Sequence, residues 1–298
     1  MKNKKLWCGI IILFIAGLIV ATIGFCMGGA RSLYIDEKGV NIMQKDFVNE
    51  IVKIDLDKFS ELSVNASSQI VEVIASDKYA LELDCRNPEK ISYTLENDKL
   101  TVKNNSGFMM DFNFGINMKA DVIRIYLPTE AVLNKLDAKV TSGKIIANDQ
   151  KTKELVLSVN SGTAEINNIV SEKGVLKVTS GNVTVNNSNF EKLETSVISG
   201  KMKLFDITSN ELLAKVTSGN LEANGELLGN VNVNVTSGSA KLSLKGSSID
   251  YSKKLKATSG NVVVDNIKTT DVYTEILNTE NTLDLSTTSG AIKVDFEN

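Results

Sequence analysis

The sequence predicts an all-β chain: a β-solenoid of about eight coils with a 19-residue period, preceded by a small β-sheet unit and an N-terminal transmembrane helix. Three observations carry this expectation. The dipeptide Ser-Gly recurs at Gly143, Gly162, Gly181, Gly200, Gly219 and Gly238, always 19 residues apart, and again at Gly260 and Gly290. Apolar and polar residues alternate on both sides of each dipeptide. Leu6 to Met27 is uncharged and strongly apolar. A period this regular marks one small unit stacked many times.

From the N-terminus, Lys2, Lys4 and Lys5 precede the apolar run. Crossing a bilayer as one helix takes about 20 residues, and the flanking lysines place the N-terminus in the cytoplasm. The competing reading is a cleaved signal peptide, with the small residues Gly28 and Ala30 marking a cleavage site. Either way the body of the chain is exported. The expected division is 1–30 for the lysines and anchor, 31–50 for a juxtamembrane linker, 51–135 for a β-rich capping domain and 136–298 for the Ser-Gly repeats. Cys8 and Cys26 sit in the apolar segment. Only Cys85 belongs to the body, which excludes an internal disulfide framework and suggests a small buried thiol.

Between residues 51 and 136 the alternation is strand-like but has no period. Val52 to Leu56, Ile70 to Ile74, Leu81 to Leu83, Lys99 to Lys103 and Val122 to Leu127 read as strands at hairpin-like spacing. They are expected to cover the first coil, whose bare edge would otherwise invite aggregation.

Within each repeat, the positions five and three before the glycine and two and four after it are nearly all apolar, as in Leu176, Val178, Val183 and Val185 around Gly181. This is the period-2 pattern of strands with one buried face. Positions three before and two after differ in parity, so the chain must bend at the dipeptide, and glycine is expected to supply a positive φ there. The later spacings of 22 and 30 residues suggest loop insertions, the larger within Thr270 to Thr282.

The run VIRIYLP from Val122 to Pro128, then Leu136 and VTSGKI from Val140 to Ile145, then repeated Thr-Ser-Gly strands, resembles the bacterial putative-adhesin family of repetitive β-proteins, a domain of unknown function. The resemblance spans roughly residues 51–298. It implies a surface-exposed, non-catalytic β-rich protein, often following a membrane segment and in some members associated with envelope stress. It transfers no active-site residue.

The residues themselves supply little chemistry. With no histidine, Ser-His and Cys-His pairs and the usual zinc ligand sets are absent. A net charge of −3 and arginine only at Arg31, Arg86 and Arg124 argue against a nucleic-acid partner. Ser142, Ser161, Ser180, Ser199, Ser218, Ser237, Ser259 and Ser289 suggest a structural hydroxyl ladder. Asn182, Asn220 and Asn261 suggest amide ladders. Asp149, Glu165 and Asp265 read as solvated residues. Phe108, Phe112 and Phe114 read as a core hairpin or an exposed apolar loop. No cofactor, metal or catalytic residue is expected. The expected function is a non-enzymatic, membrane-tethered envelope scaffold, held by residues 6–27 and binding an envelope polymer, peptide or membrane protein. Two alternatives stand beside it: assembly through the last strand, Ala291 to Phe296, and a polysaccharide-degrading β-helix using carboxylates from adjacent coils.

Overall fold

The computed structural model describes residues 2–26, 32–36, 39–43, 48–104, 110–113, 119–265, 267–269 and 271–297. Backbone contacts divide the chain into two compact units, 1–48 with 105–119, and 49–104 with 120–298. The first unit holds helix α1 (Lys2–Cys26) and strands β1 (Ser32–Asp36), β2 (Gly39–Met43) and β9 (Met110–Asn113). The stretch read as a linker therefore contains two strands. They pair antiparallel from Ser32↔Met43 to Asp36↔Gly39, and β9 pairs antiparallel with the other edge of β1. The side chains described along α1, Ile11 and Leu13 to Gly24, are all exposed. Among the described residues no helix is long and apolar enough to cross a membrane. Gly28, Ala30, Arg31 and the side chains of Cys8, Cys26, Phe108, Phe112 and Phe114 lie outside the described residues.

The second unit is a solenoid. Its leading strands are β3 (Glu50–Asp55), β4 (Glu61–Ala66), β5 (Ile70–Ser76), β6 (Ala80–Cys85), β7 (Ile91–Glu96), β8 (Lys99–Asn104) and β10 (Val122–Pro128). The first repeats give β11 (Val132–Val140), β12 (Lys144–Asn148), β13 (Lys151–Val159), β14 (Thr163–Asn167), β15 (Val170–Val178), β16 (Asn182–Asn186) and β17 (Asn189–Val197). Then come two long strands, β18 (Lys201–Val216) and β19 (Asn220–Val235), followed by β20 (Ser239–Lys245). The C-terminal part holds β21 (Tyr251–Ala257), β22 (Asn261–Val264), β23 (Ile267–Thr269), β24 (Val272–Glu275), β25 (Asn281–Thr287) and β26 (Ala291–Glu297).

Strands before each Ser-Gly corner stack in one parallel ladder, and strands after it stack in a second. Equivalent residues fall level, so that Val140, Val159, Val178, Val197, Val216 and Val235 form one column. All four inward positions are buried in every Ser-Gly unit, and all but Thr195 and Thr287 belong to one continuous hydrophobic core. Hydrogen bonding crosses the expected boundary at 135/136 without a break. Lys135 to Val140 of β11 pair in parallel with Glu61 to Ala66 of β4, and β5 pairs with both β12 and β10.

The corner glycines do not have the expected positive φ. They are needed because a Cβ would have nowhere to go. On Gly162, Gly181, Gly200, Gly219 and Gly238 it would stand 2.1–2.4 Å from the carbonyl oxygen of the glycine one coil back. The left-handed turn is at the opposite corner. Asp149, Asn168, Asn187 and Asp206 have φ between 50° and 58°, and Gly225, level with Ile207 after a register shift, has φ of 135°. Asx residues and glycine accept this region more readily than others.

The last coils are not stacked in chain order. β25 lies between β19 and β21, and β26 lies between β20 and β22. The corner column accordingly runs Gly238, Gly290, Gly260. The segment read as a loop insertion includes β24, which with β23 covers the end of the stack. These strands pair antiparallel with β21 and β22. At the other end β7 covers β8 and β6 covers β10, again antiparallel, with β3 outside β6.

Candidate functional site

Stacking turns a residue type at one repeat position into a row. Eight residues before the glycine, a row of ion pairs climbs the first ladder. Lys135 Nζ lies 2.8 Å from Glu154, and Lys173 lies 3.9 Å from Glu154 and 3.8 Å from Glu194. Lys192 bridges Glu194 at 3.8 Å and Glu211 at 3.0 Å. The Glu154 hydrogen bond raises the Lys135 pKa, and the same bond lowers that of Glu154. Pairs this exposed contribute little to stability. Their effect is to neutralise the row.

A second row crosses the leading strands. Arg124 on β10 donates to Glu72 on β5 at 2.8 Å and to Glu82 on β6 at 2.7 Å, and Lys53 on β3 reaches Glu82 at 3.1 Å. Burial pushes the Glu82 carboxyl up, but hydrogen bonds from Arg124 and Lys53 outweigh it and hold the pKa below its ordinary value. Arg86 pairs with Asp121 at 3.2 Å. Beside it Cys85 is buried, with Sγ 3.6 Å from the Val122 carbonyl. Burial, then the Asp121 and Asp84 carboxylates, push the thiol up to about 12, which leaves it a small apolar filler at neutral pH.

The irregular C-terminal coils open a cleft of about 390 Å³, lined by Glu226, Lys245, Asp250, Tyr251, Thr279 and Asn281 among others. The Tyr251 hydroxyl donates to the Leu227 carbonyl at 2.8 Å, and burial pushes its pKa up to about 12. Close by, Lys253 occupies the inward position held by Leu283 on β25 and Leu212 on β18. It is 3% exposed, and its ammonium donates to Glu275 at 2.7 Å and to the Tyr251 carbonyl at 3.1 Å. The cleft and the buried lysine were missed from sequence. Both arise where the coil order is permuted, and only the polar character of position 253 was a signal.

The eight corner serines form a column of exposed residues, but among the described residues none of their hydroxyls makes a side-chain hydrogen bond. The corner is held instead by backbone bonds such as Ser180 N–H to the Asn160 carbonyl at 2.7 Å. The amide ladder is not at Asn182, Asn220 and Asn261. It runs through Asn186, Asn167 and Asn148 at the left-handed corner, each amide donating to the next at 2.7 Å. Asp149 and Asp265 are exposed turn residues, and exposed Glu165 pairs with Lys144. Among the described residues no group of three or more His, Cys, Asp or Glu is placed to hold a metal ion.

The solenoid has solved counterparts. A putative adhesin from Bacteroides fragilis NCTC 9343 superposes with a TM-score of 0.50 at 15% identity, covering 82% of this chain and 97% of that one. A putative lipid binding protein and a putative adhesin, both from Parabacteroides distasonis ATCC 8503, give TM-scores of 0.49 and 0.44 at 16% and 15% identity. They cover 83% and 82% of this chain and 96% of each counterpart. No curated protein matches the sequence. The family description Toastrack DUF4097 matches residues 59–295, the solenoid from just before β4 into β26. The chain belongs to the Toastrack DUF4097 family.

Proposed function

We propose that the chain is a non-enzymatic cell-envelope scaffold. Residues 6–27 tether it to the membrane, with the N-terminus cytoplasmic and the solenoid outside, and its outward rows bind an envelope polymer, peptide or membrane protein. The observation that carries this reading is the level stacking of equivalent residues, which repeats one side chain at about 4.8 Å steps. Such a surface favours many weak contacts over one deep one. The tether is supported by the uncharged run Leu6 to Met27 behind Lys2, Lys4 and Lys5, and by exposed Leu13 and Phe14 on α1. Assembly through the last strand is not retained, because β26 is paired on both sides by β20 and β22.

A strain lacking the chain is expected to change in adhesion or in its response to cell-wall antibiotics. No change in either overturns the reading. Full-length chain is expected to resist carbonate extraction, and to release no reducing ends from envelope polysaccharides. A cleaved N-terminus near Arg31 would remove the tether.

A further inference from the structure

Around every Ser-Gly corner the chain carries no carboxylate. The six residues from four before the glycine to one after it read KVTSGK, SVNSGT, KVTSGN, SVISGK, KVTSGN, NVTSGS, KATSGN and STTSGA, in a protein with 36 acidic residues and net charge −3. Four lysines share the first of these positions: Lys139, Lys177, Lys215 and Lys256. All four are exposed, and among the described residues none has an ion-pair partner.

Their placement is regular. Lys139 is level with Ser158, Ser158 with Lys177, Lys177 with Ser196 and Ser196 with Lys215. Ammonium groups thus recur on alternate strands, about 10 Å apart, with a hydroxyl between them. The flanking carboxylates do not cancel this charge, because they are engaged elsewhere. Glu165 pairs with Lys144, Glu194 with Lys173 and Lys192, Glu222 with Lys201, and Asp284 with Lys254. Asp137, two residues before Lys139, is the exception, with only a minor coulombic pull on Lys135.

We propose that this band is the binding surface for a linear phosphate polymer laid along the stack. Alternate lysines meet its anionic groups, and the intervening serine hydroxyls donate to its oxygens. The inference deepens the scaffold reading and rests on it. Charge complementarity selects an anion, and a lysine serves phosphate as a point charge. Linearity selects a polymer. One exposed lysine contributes little, whereas successive contacts along one chain act at high effective concentration. A peptide strand is disfavoured, since the backbone groups of these strands are already paired with the coils on either side.

The test uses full-length chain and long-chain inorganic polyphosphate. Wild type is expected to bind, and to bind more weakly as salt screens the row. The triple variant Lys139→Gln, Lys177→Gln, Lys215→Gln is expected to lose about tenfold or more in affinity. A control with the same charge change, Lys58→Gln, Lys99→Gln, Lys268→Gln, is expected to keep most of it. Lys177→Gln alone gives a milder probe should the triple variant fold poorly, and a loss of about twofold to threefold is expected. Equal binding by the corner variants and wild type overturns the proposal. So does an equal loss in the control, equal binding of poly-L-glutamate, or orthophosphate competing as well as the polymer at equal phosphate. If the corner triple variant fully rescues a deletion phenotype, the band fails while the scaffold reading stands. If there is no deletion phenotype, the scaffold reading itself fails.

Discussion

The carbonyl oxygen of Gly162 lies 2.2 Å from where a Cβ on Gly181 would stand, with Val159 Cγ1 at 2.8 Å from the same point. The first of these obstacles is backbone held in a ladder, so no rotamer change relieves it. Gly181→Ala is expected to lower stability by about 1–3 kcal/mol or more, read from the midpoint of urea unfolding. Gly174→Ala is the comparison. Its nearest obstacles are the Phe190 ring at 2.7 Å and Leu193 Cδ1 at 2.9 Å, both buried side chains rather than backbone. It should cost less, and equal losses would remove the distinction.

Asn187 sits in the left-handed region with φ of 50°, as do Asn168 and Asp149 at the same repeat position one and two coils back. Asn187→Ala should cost about 1 kcal/mol, because alanine bears the left-handed penalty without the local hydrogen bonding that offsets it in asparagine. Asn187→Gly should cost markedly less. Thermal melts of the two variants side by side test this, and a more stable alanine variant would contradict it.

Lys253 is buried beside Glu275, whose side chain is 35% exposed. Replacing a buried charge with the apolar residue of neighbouring coils is often neutral or stabilising, and Lys253→Leu should leave the urea midpoint unchanged or raised. Glu275→Ala strands the ammonium and should cost about 3 kcal/mol, or less where water reaches it. A destabilised Lys253→Leu protein with an intact Glu275→Ala protein would reverse this assignment.

Acid stability should report on Glu82. Its folded pKa lies below the ordinary 4.5 because hydrogen bonds from Arg124 and Lys53 outweigh burial. A group depressed on folding gives stability that is complete above its unfolded pKa and is lost as pH falls through the folded one. Unfolding free energy should therefore be level near neutrality and decline below about pH 4.5. Glu82→Gln should lower the plateau and flatten part of that decline. A variant curve parallel to wild type at all pH values would dismiss the contribution.

Much of the solenoid was legible in the sequence, because burial writes itself into period-2 alternation. Leu176, Val178, Val183 and Val185 are all inside, as their spacing about Gly181 requires. The role of the glycine was not legible. A bend that needs positive φ and a contact that forbids a Cβ both select glycine, and only the 2.2 Å approach to Gly162 tells them apart. Coil order was hidden for a related reason. Leu285 is level with both Val233 and Leu255, and any of the three apolar residues fits beside either of the others. The lysine band was visible as Lys139, Lys177 and Lys215 in one aligned position. That these have no ion-pair partner among the described residues while Lys135 and Lys192 are neutralised required coordinates, as did the cleft at Tyr251.

The permuted end of the stack has a consequence for biosynthesis. A ribosome releases residues 251–264 before residues 281–297, yet the later-made coil is what the earlier-made one rests on. That coil must therefore wait, held on one side only by β23 and β24, until translation is finished. A stop codon after Glu280 should cost the protein two rungs instead of one, and hydrogen exchange at Tyr251 to Val264 should then be much faster than in the full chain, since only the short pairings with β23 and β24 are left. Retained protection there would mean that the two coils can dock in either order.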